Sequence, residues 1–427
     1  MNVSSTFSLI FTLILILLIT GRYHRSVAAL LGALLTIVFG LEYNLFTFEN
    51  LWKELVSFID VNAVLLVVGV MILAEAIARS GFFEFIGLSL AKTVGGGFHR
   101  VSIALISLTI LFSALLSNIT TMIIIGALTV SLAKKFEADP TETIIYEAMV
   151  TNIGGLMLMI SSIPNLIVAA QIGIEFLEFA LFSLPLALIL SIISILLIYR
   201  RLKKFSTMQR KIDVDPWSVV ENKELFYRAL TIFIFVIILL ILQDLIKIPL
   251  GLIAFSGAIL MLILGGQDPE SIFSNIDWGS VFFLTSFYII VGGLERSGVL
   301  NIFAQNIIGF LSFQPKMVPI LNIWICGLAS SVVDNIPITL TLIPVMKQIS
   351  KMLNISLKAL GWGIVFGANL GGNLTPIGSP SNIIALGILK REGRNITWRE
   401  WFNLCIPQVV MQLLLASVYV TFLSVII

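Results

Sequence analysis

Shifted by 217 positions, this chain falls on its own polar punctuation. Asp60 lands on Asp277, Arg79-Ser80-Gly81 on Arg296-Ser297-Gly298, Ser113 on Ser330, Ser117-Asn118-Ile119 on Asp334-Asn335-Ile336, Asn152 on Asn369, Gly154-Gly155 on Gly371-Gly372, and Asn165 on Asn382. One offset that holds without a gap from Asp60 to Asn165 is the mark of an internal duplication. The fold must therefore be assembled from two similar halves. Irregular segments at corresponding places in two such halves are the best sequence-level pointer to a transporter's binding site.

The repeated segments are also those that a membrane tolerates least. With 427 residues, 58% of them hydrophobic and 12% charged, and a mean hydropathy of +1.05, the chain reads as a polytopic helical membrane protein. Within the apolar stretch Leu360 to Leu389 lies Gly367 to Asn382, with four glycines, two prolines and three asparagines. Its mate is Val150 to Asn165 in the stretch Thr143 to Gly173. Proline removes a backbone donor and glycine loosens a helix, and the freed amides and carbonyls must find partners in protein, water or ligand because hydrocarbon offers none. Both spans are therefore expected to be broken helices lining a cavity.

Eight more apolar runs are long enough to span: Phe7 to Thr20, Val27 to Leu41, Val61 to Ala78, Phe179 to Tyr199, Ala229 to Leu242, Leu250 to Gly265, Val281 to Leu294 and Leu404 to Ile427. Val101 to Ala133 and Val318 to Met346 instead carry polar tips, at Ser117 to Thr121 and Asp334 to Thr339, between apolar arms of about 14 to 16 residues. Arms shorter than the roughly 20 residues of a span predict re-entrant hairpins. With ten spans and the N-terminus outside, 19 of the 26 Lys and Arg fall on the cytoplasmic side, Arg22 and Arg25 among them, and the positive-inside rule selects this orientation. Five spans per half is an odd number, so the second half enters from the opposite face. The predicted fold is all-α and polytopic: two inverted repeats, residues 1–200 and 229–427, each with five transmembrane spans (one broken) and a re-entrant hairpin, joined by a cytoplasmic linker over 201–228. Both termini are expected outside. Met1 to Thr20 lacks a basic leader and a small-residue cleavage site and reads as a retained first span.

The chemistry is expected at the tips and breaks. Amides and hydroxyls beside half-helix N-termini, whose exposed N–H groups carry partial positive charge, suit an anion. Unwound carbonyls at the half-helix C-termini, at Gly154 and Gly371, suit Na⁺. Asp334 is the one acid at a hairpin tip, and an ionisable group at membrane depth is costly and usually functional, so it leads the candidates for H⁺ or Na⁺ coupling, ahead of Glu75 and Glu147. Asp60 and Asp277 sit at span entrances and read as helix N-caps. Cys326 and Cys405, in apolar surroundings without ligand spacing, read as inert buried thiols. The sequence carries no nucleotide-binding loop, metal-ligand cluster, nucleophilic triad or nucleic-acid-binding surface; it is not expected to be an enzyme, to hold a cofactor or to bind nucleic acid.

SNITTM, VVDNIPITLTLIPV and GANLGGNLTPIGSPSNIIALGI resemble the ion transporter superfamily, in the branch holding arsenite permeases, NhaD-type sodium/proton antiporters, the melanosomal P protein and citrate-transporter-like proteins. The resemblance covers nearly the whole chain and is specific for the superfamily rather than for a substrate. It implies a central site formed by the tips and unwound loops, elevator-like alternating access and a homodimer formed through the scaffold. The site positions it carries over are Ser117, Asn118, Thr120, Asn152, Asn335, Thr339, Asn369, Asn373, Thr375, Ser379 and Asn382. One departure matters: related members tend to have Asp-Asn at both tips, whereas here the first is Ser117-Asn118, which weakens a cation/proton antiport that needs paired acids. The expectation is a cell-membrane secondary transporter of a small organic or inorganic anion, coupled to H⁺ or Na⁺. The alternatives are an arsenite or antimonite exporter, a Na⁺/H⁺ antiporter and, from another class, an ion channel.

Overall fold

A computed structural model describes residues 2–94, 97–203, 215–311 and 317–426. The first half runs α1 (Val3–Thr20), α2 (Arg25–Glu42), α3 (Leu51–Phe58), α4 (Val61–Arg79), α5 (Phe82–Val94), α6 (Phe98–Ser113), α7 (Asn118–Phe136), α8 (Thr141–Gly154), α9 (Ile163–Ile172) and α10 (Phe176–Leu202). The second runs α11 (Lys223–Ile241), α12 (Gln243–Ile246), α13 (Leu250–Leu264), α14 (Pro269–Asn275), α15 (Trp278–Arg296), α16 (Val299–Leu311), α17 (Val318–Ser330), α18 (Asn335–Leu353), α19 (Leu357–Gly371), α20 (Pro380–Arg391) and α21 (Trp398–Ile426). Much of the expected linker, with Lys204, Arg210 and Lys211 of its basic cluster, lies outside the described residues.

The helix bounds obey the duplication: α4 and α15, α5 and α16, and α7 and α18 begin and end 217 residues apart. Packing obeys it too, with exchange between halves: α4 lies on α13 as α15 lies on α2, and α7 lies on α20 as α18 lies on α9. The repeats are inverted. Asn275 to Asp277, just before α15, share a cavity wall with Ala74 and Glu75 near the end of α4, and Arg296 at the end of α15 pairs with Glu54 in α3, just before α4. The mates α4 and α15 therefore run antiparallel.

Among the described residues eight helices are long and apolar enough to cross a membrane, α1, α2, α4, α10, α11, α15 and α21 as expected and also the hairpin arm α7; α13 is a shorter apolar helix of 15 residues, and α8 with α9 and α19 with α20 form the broken pairs. Asp60 accepts from Ala63 N and Asp277 from Ser280 N, both at 3.0 Å, so both acids cap their helices. Two features differ from the sequence expectation. The returning hairpin arms α7 and α18 have 19 residues each, because they run on through Lys134 and Lys135 and through Lys351, cations that a helix C-terminus accommodates. The helices α5 and α16 fall where no apolar run stands out; they link the scaffold to the hairpins.

The spans sort into two bundles. One, the scaffold, contains α1 to α4 and α11 to α15; the other contains α6 to α10 and α17 to α21 and holds both hairpins and both breaks. Between them run α4 on α9, α15 on α18, and the linking helices α5 and α16. Inside the second bundle the helices approach at glycine. A Cβ on Gly371 would lie 2.2 Å from Cα and O of Gly327, and one on its mate Gly154 would lie 2.2 Å from Ile110 O. Gly371→Val is expected to cost more stability than the about 1–3 kcal/mol of ordinary overpacking, since backbone must yield, and so to lower the thermal unfolding temperature of the purified protein. Gly387→Ala, with open space around its Cβ, should leave that temperature unchanged or raise it.

Candidate functional site

The two hairpin tips begin alike and end differently. Ser117 Oγ accepts from Thr120 N at 3.1 Å and meets Thr120 Oγ1 at 2.9 Å, so it caps α7. Asn118 accepts from Ser113 Oγ at 2.8 Å and donates from Nδ2 to Asn152 Oδ1 at 2.6 Å, which ties the tip to the broken span behind it. Asp334 stands at the same place before α18 but makes no side-chain cap. Its Oδ2 lies 2.5 Å from Arg25 Nη1, while Arg25 Nη2 reaches Asp277 Oδ2 and Ser280 Oγ, each at 2.7 Å. Asp334 Oδ1 is buried without a hydrogen-bond partner.

Each break is closed by an asparagine ten residues further on. Asn165 Nδ2 donates to Gly155 O at 2.7 Å and Leu158 O at 3.2 Å; its mate Asn382 Nδ2 donates to Gly372 O at 3.1 Å and Thr375 O at 3.0 Å. Other amides join the halves. Asn152 Nδ2 donates to Asn373 Oδ1 at 2.6 Å, Asn369 Nδ2 to Asn165 Oδ1 at 2.9 Å, and Asn373 Nδ2 to Met149 O at 2.8 Å. Ser162 Oγ donates to Asn369 Oδ1 at 2.9 Å and Ser379 Oγ to Asn152 Oδ1 at 3.3 Å. Asn152, Asn165, Asn369, Asn373 and Asn382 are fully buried, where polar groups must be paired. Thr375 Oγ1 donates to Ser331 O and Thr339 Oγ1 to Asn335 O.

In front of this network is a cavity of about 140 Å³. A water needs about 10–15 Å³ on the same measure, so the space admits several waters or a small ion. Its walls are the N-terminal ends of α7 (Ser117 to Thr120), α9 (Ser162 to Pro164), α18 (Asp334 to Ile336), α20 (Pro380) and α15 (Ile276, Asp277, Ser280), with Arg25 and the α4 face carrying Val67, Met71 and Glu75. The side chains at the N-caps of α9, α18 and α20 do not cap their helices. Charged lining among the described residues comes from Arg25, Glu75, Asp277 and Asp334; Glu75 pairs with Arg79 at 3.0 Å, and Asp277 and Asp334 share the one guanidinium of Arg25.

Of the positions singled out from sequence, Ser117, Asn118, Thr120, Asp334 and Asn335 line the cavity. Asn152, Thr339, Asn369, Asn373, Thr375, Ser379 and Asn382 stand behind it in the network just described, and Gly154 and Gly371 sit where helices touch. Glu147 is buried away from the cavity, accepting from Thr129 Oγ1 at 2.5 Å. Arg25, Asp277, Ser280 and Ser162 are additions. Arg25 reads in the sequence as one of many cytoplasmic cations, two residues before the apolar run at Val27, and no local signal separates it from them.

A family model described as "Citrate transporter" matches residues 15–367 and 340–426. An uncharacterized transporter of Mycobacterium tuberculosis is 27% identical over 417 residues, 96% of each chain. An uncharacterized transporter of Synechocystis is 27% identical over 449 residues, 99% of this chain and 98% of its own. The human P protein is 26% identical over 495 residues, 94% of this chain and 58% of its own. Among solved structures, the YdaH transporter of Alcanivorax borkumensis superposes with a TM-score of 0.64 over 90% of this chain and 88% of that one; at 14% identity the likeness is one of fold.

Removing a break-closing amide deletes two buried hydrogen bonds, at about 0.5–1.5 kcal/mol each; Gly155 O and Leu158 O keep Ser161, and Thr375 O keeps Gly378 N, whereas Gly372 O loses its Asn382 donor. Asn165→Ala and Asn382→Ala are each expected to lower the thermal unfolding temperature markedly. Thr120→Ala, which leaves the backbone cap on Ser117 in place, should change stability by less than about 0.5 kcal/mol. Wild-type stability of both asparagine variants would remove the network from the account.

Proposed function

The chain belongs to the citrate transporter family and is a multi-pass membrane transporter rather than an enzyme; from that premise we propose that it is a secondary active carrier of a small carboxylate-like or inorganic anion, coupled to H⁺ or Na⁺. The observation that carries this reading is the convergence of the N-terminal ends of α7, α9, α18 and α20 on one cavity, three of them without side-chain caps. In the first turns of these three helices Pro164, Pro337 and Pro380 carry no N–H, and Asn165 N and Asn382 N bond to Ser162 O and Ser379 O; the N–H groups of Ile163, Asn335, Ile336 and Ser381 are left as donors with partial positive charge, and an anionic oxygen is their natural partner. Ser117, Asn118, Thr120 and Asn335 supply the side-chain contacts; the amides of Asn152, Asn369, Asn373 and Asn382, with Thr339, Thr375 and Ser379, fix the ends of the helices that present them.

The excess of carboxylates in the same cavity supports a cation beside the anion. Asp334 is the coupling residue in this reading, with carbonyls near Gly154 and Gly371 available to Na⁺. The bundle that holds the site moves against the scaffold as an elevator, a motion supported by the small set of helices that join the two bundles. We extend the proposal to a homodimer in the cell membrane with both termini outside. The carboxylates also favour a second reading, Na⁺/H⁺ antiport, in which the anion is dispensable.

Counterflow in proteoliposomes separates these readings. A thermal-shift screen of citrate, dicarboxylates, sulfate, phosphate and arsenite first identifies the ligand, since a ligand at a hundred times its Kd adds about 2.7 kcal/mol to stability. Unlabelled ligand inside the vesicles should then accelerate entry of labelled ligand, and an imposed Na⁺ or H⁺ gradient should drive its accumulation. Flux indifferent to ligand on the far side would point to a channel. Na⁺/H⁺ exchange at full rate without any anion would establish the second reading.

A further inference from the structure

The duplication exposes an asymmetry between the two hairpin tips. Ser26 Oγ donates to Gly279 O, and Gly251 N donates to Asn62 Oδ1. Gly279 and Asn62 are repeat mates, so Ser26 and Gly251 are equivalent, and Leu250 holds the place of Arg25. The trio Arg25, Asp277 and Asp334 thus corresponds to Leu250, Asp60 and Ser117. On one side of the pseudo-two-fold an ion pair joins the scaffold to the hairpin tip; on the other side both of its members are missing. The carboxylate that forms the pair has given up its helix cap to do so, which its mate Ser117 has not.

We propose that Arg25 is a positioning residue, one that latches the second hairpin tip to the scaffold in the arrangement described here and releases it when H⁺ or Na⁺ takes its place at Asp334. The inference rests on the alternating-access reading above. In an inverted-repeat carrier the opposite state is reached by exchanging the roles of the two halves. The α4 residues that line the cavity, Val67, Met71, Ala74 and Glu75, have as their α15 mates Leu284, Tyr288, Val291 and Gly292. Asp334 would therefore leave a guanidinium for a wall that supplies no cation: its polar group is Tyr288, within reach of the Asp60 carboxylate. The charged groups that face it now are Arg25 from α2, Asp277 from α15 and Glu75 from α4 across the cavity, and of these only Arg25 compensates its charge. An uncompensated carboxylate is excluded from such a wall, so the tip travels with Asp334 protonated or cation-bound. Ser117, uncharged, travels freely. The latch accordingly weights the equilibrium toward the present arrangement and makes departure from it conditional on the coupling ion.

The test uses the full chain in nanodiscs with spin labels at Ile259 on α13 and Ile383 on α20, both exposed, one in each bundle. Wild type should show two distance populations, the present one dominant without Na⁺ at high pH. A Na⁺ titration at fixed pH and a pH titration without Na⁺ then identify which ion depletes it. The double variant Arg25→Leu/Asp334→Ser gives each position the residue of its repeat mate; the ratio of populations should fall at least tenfold and lose its ion response. Should the double variant not fold, Asp334→Asn, which keeps the shape of the tip, should lose the response equally. Wild-type ratios and wild-type ion response in these variants overturn the latch and leave the motion standing. One unchanging distance in every sample overturns the alternating-access reading and the latch with it.

Discussion

A backbone amide or carbonyl in hydrocarbon has no water to turn to, and leaving it unpaired costs several kcal/mol, so a membrane helix can stop midway only where something inside the protein replaces its lost bonds. In this chain that replacement is made twice by the same device. The amides of Asn165 and Asn382 reach back to the carbonyls freed at Gly155 and Leu158 and at Gly372 and Thr375. Asn152 to Asn373 and Asn369 to Asn165 then fasten one break to the other across the repeat boundary. The middle of the site bundle is consequently polar and, apart from Asn382 Oδ1, paired across the asparagine network, which holds helix ends at fixed positions around a cavity.

Those ends give the cavity a double character. Helix N-termini draw negative charge, whereas Asp277 and Asp334 share the single guanidinium of Arg25, with Glu75 held by Arg79. Neither an anion nor a cation alone neutralises such a site as well as the two together, and this is the electrostatic ground for reading the protein as a coupled carrier rather than a uniporter or a pore. The single guanidinium decides how the two halves differ, because a charge that bridges both bundles matters to their relative position as well as to ligand binding.

Most of the architecture was legible in the sequence, for a reason particular to duplicated chains. A constant offset aligns the halves without a template, and the Gly, Pro and Asn clusters can only mean interrupted helices. The site was legible in part. Spacing showed which asparagines recur but not which way each amide points, so those that line the cavity, Asn118 and Asn335, could not be told from those that brace it, Asn152, Asn369, Asn373 and Asn382. The helices α5 and α16 were missed because 13 residues are too short for a span, and Glu84 and Lys92 in α5 and Asn301, Gln305 and Asn306 in α16 interrupt their apolar residues. Arg25 was counted among topogenic charges because its partners lie 252 and 309 residues away, a distance at which no local pattern survives.

The central claim is that the tips and breaks enclose the site at which the transported ligand sits, and cysteine protection tests it most directly. Ser117→Cys and Asn335→Cys place thiols in the cavity wall, and Ile377→Cys places one on an exposed part of the second broken loop, outside that wall. Cys326 and Cys405 are buried and give no background. With a hydrophilic maleimide, the ligand identified by counterflow should slow labelling at 117 and 335 at least tenfold and leave 377 unaffected. Equal labelling rates with and without ligand at both cavity positions would place the site elsewhere and contradict the account.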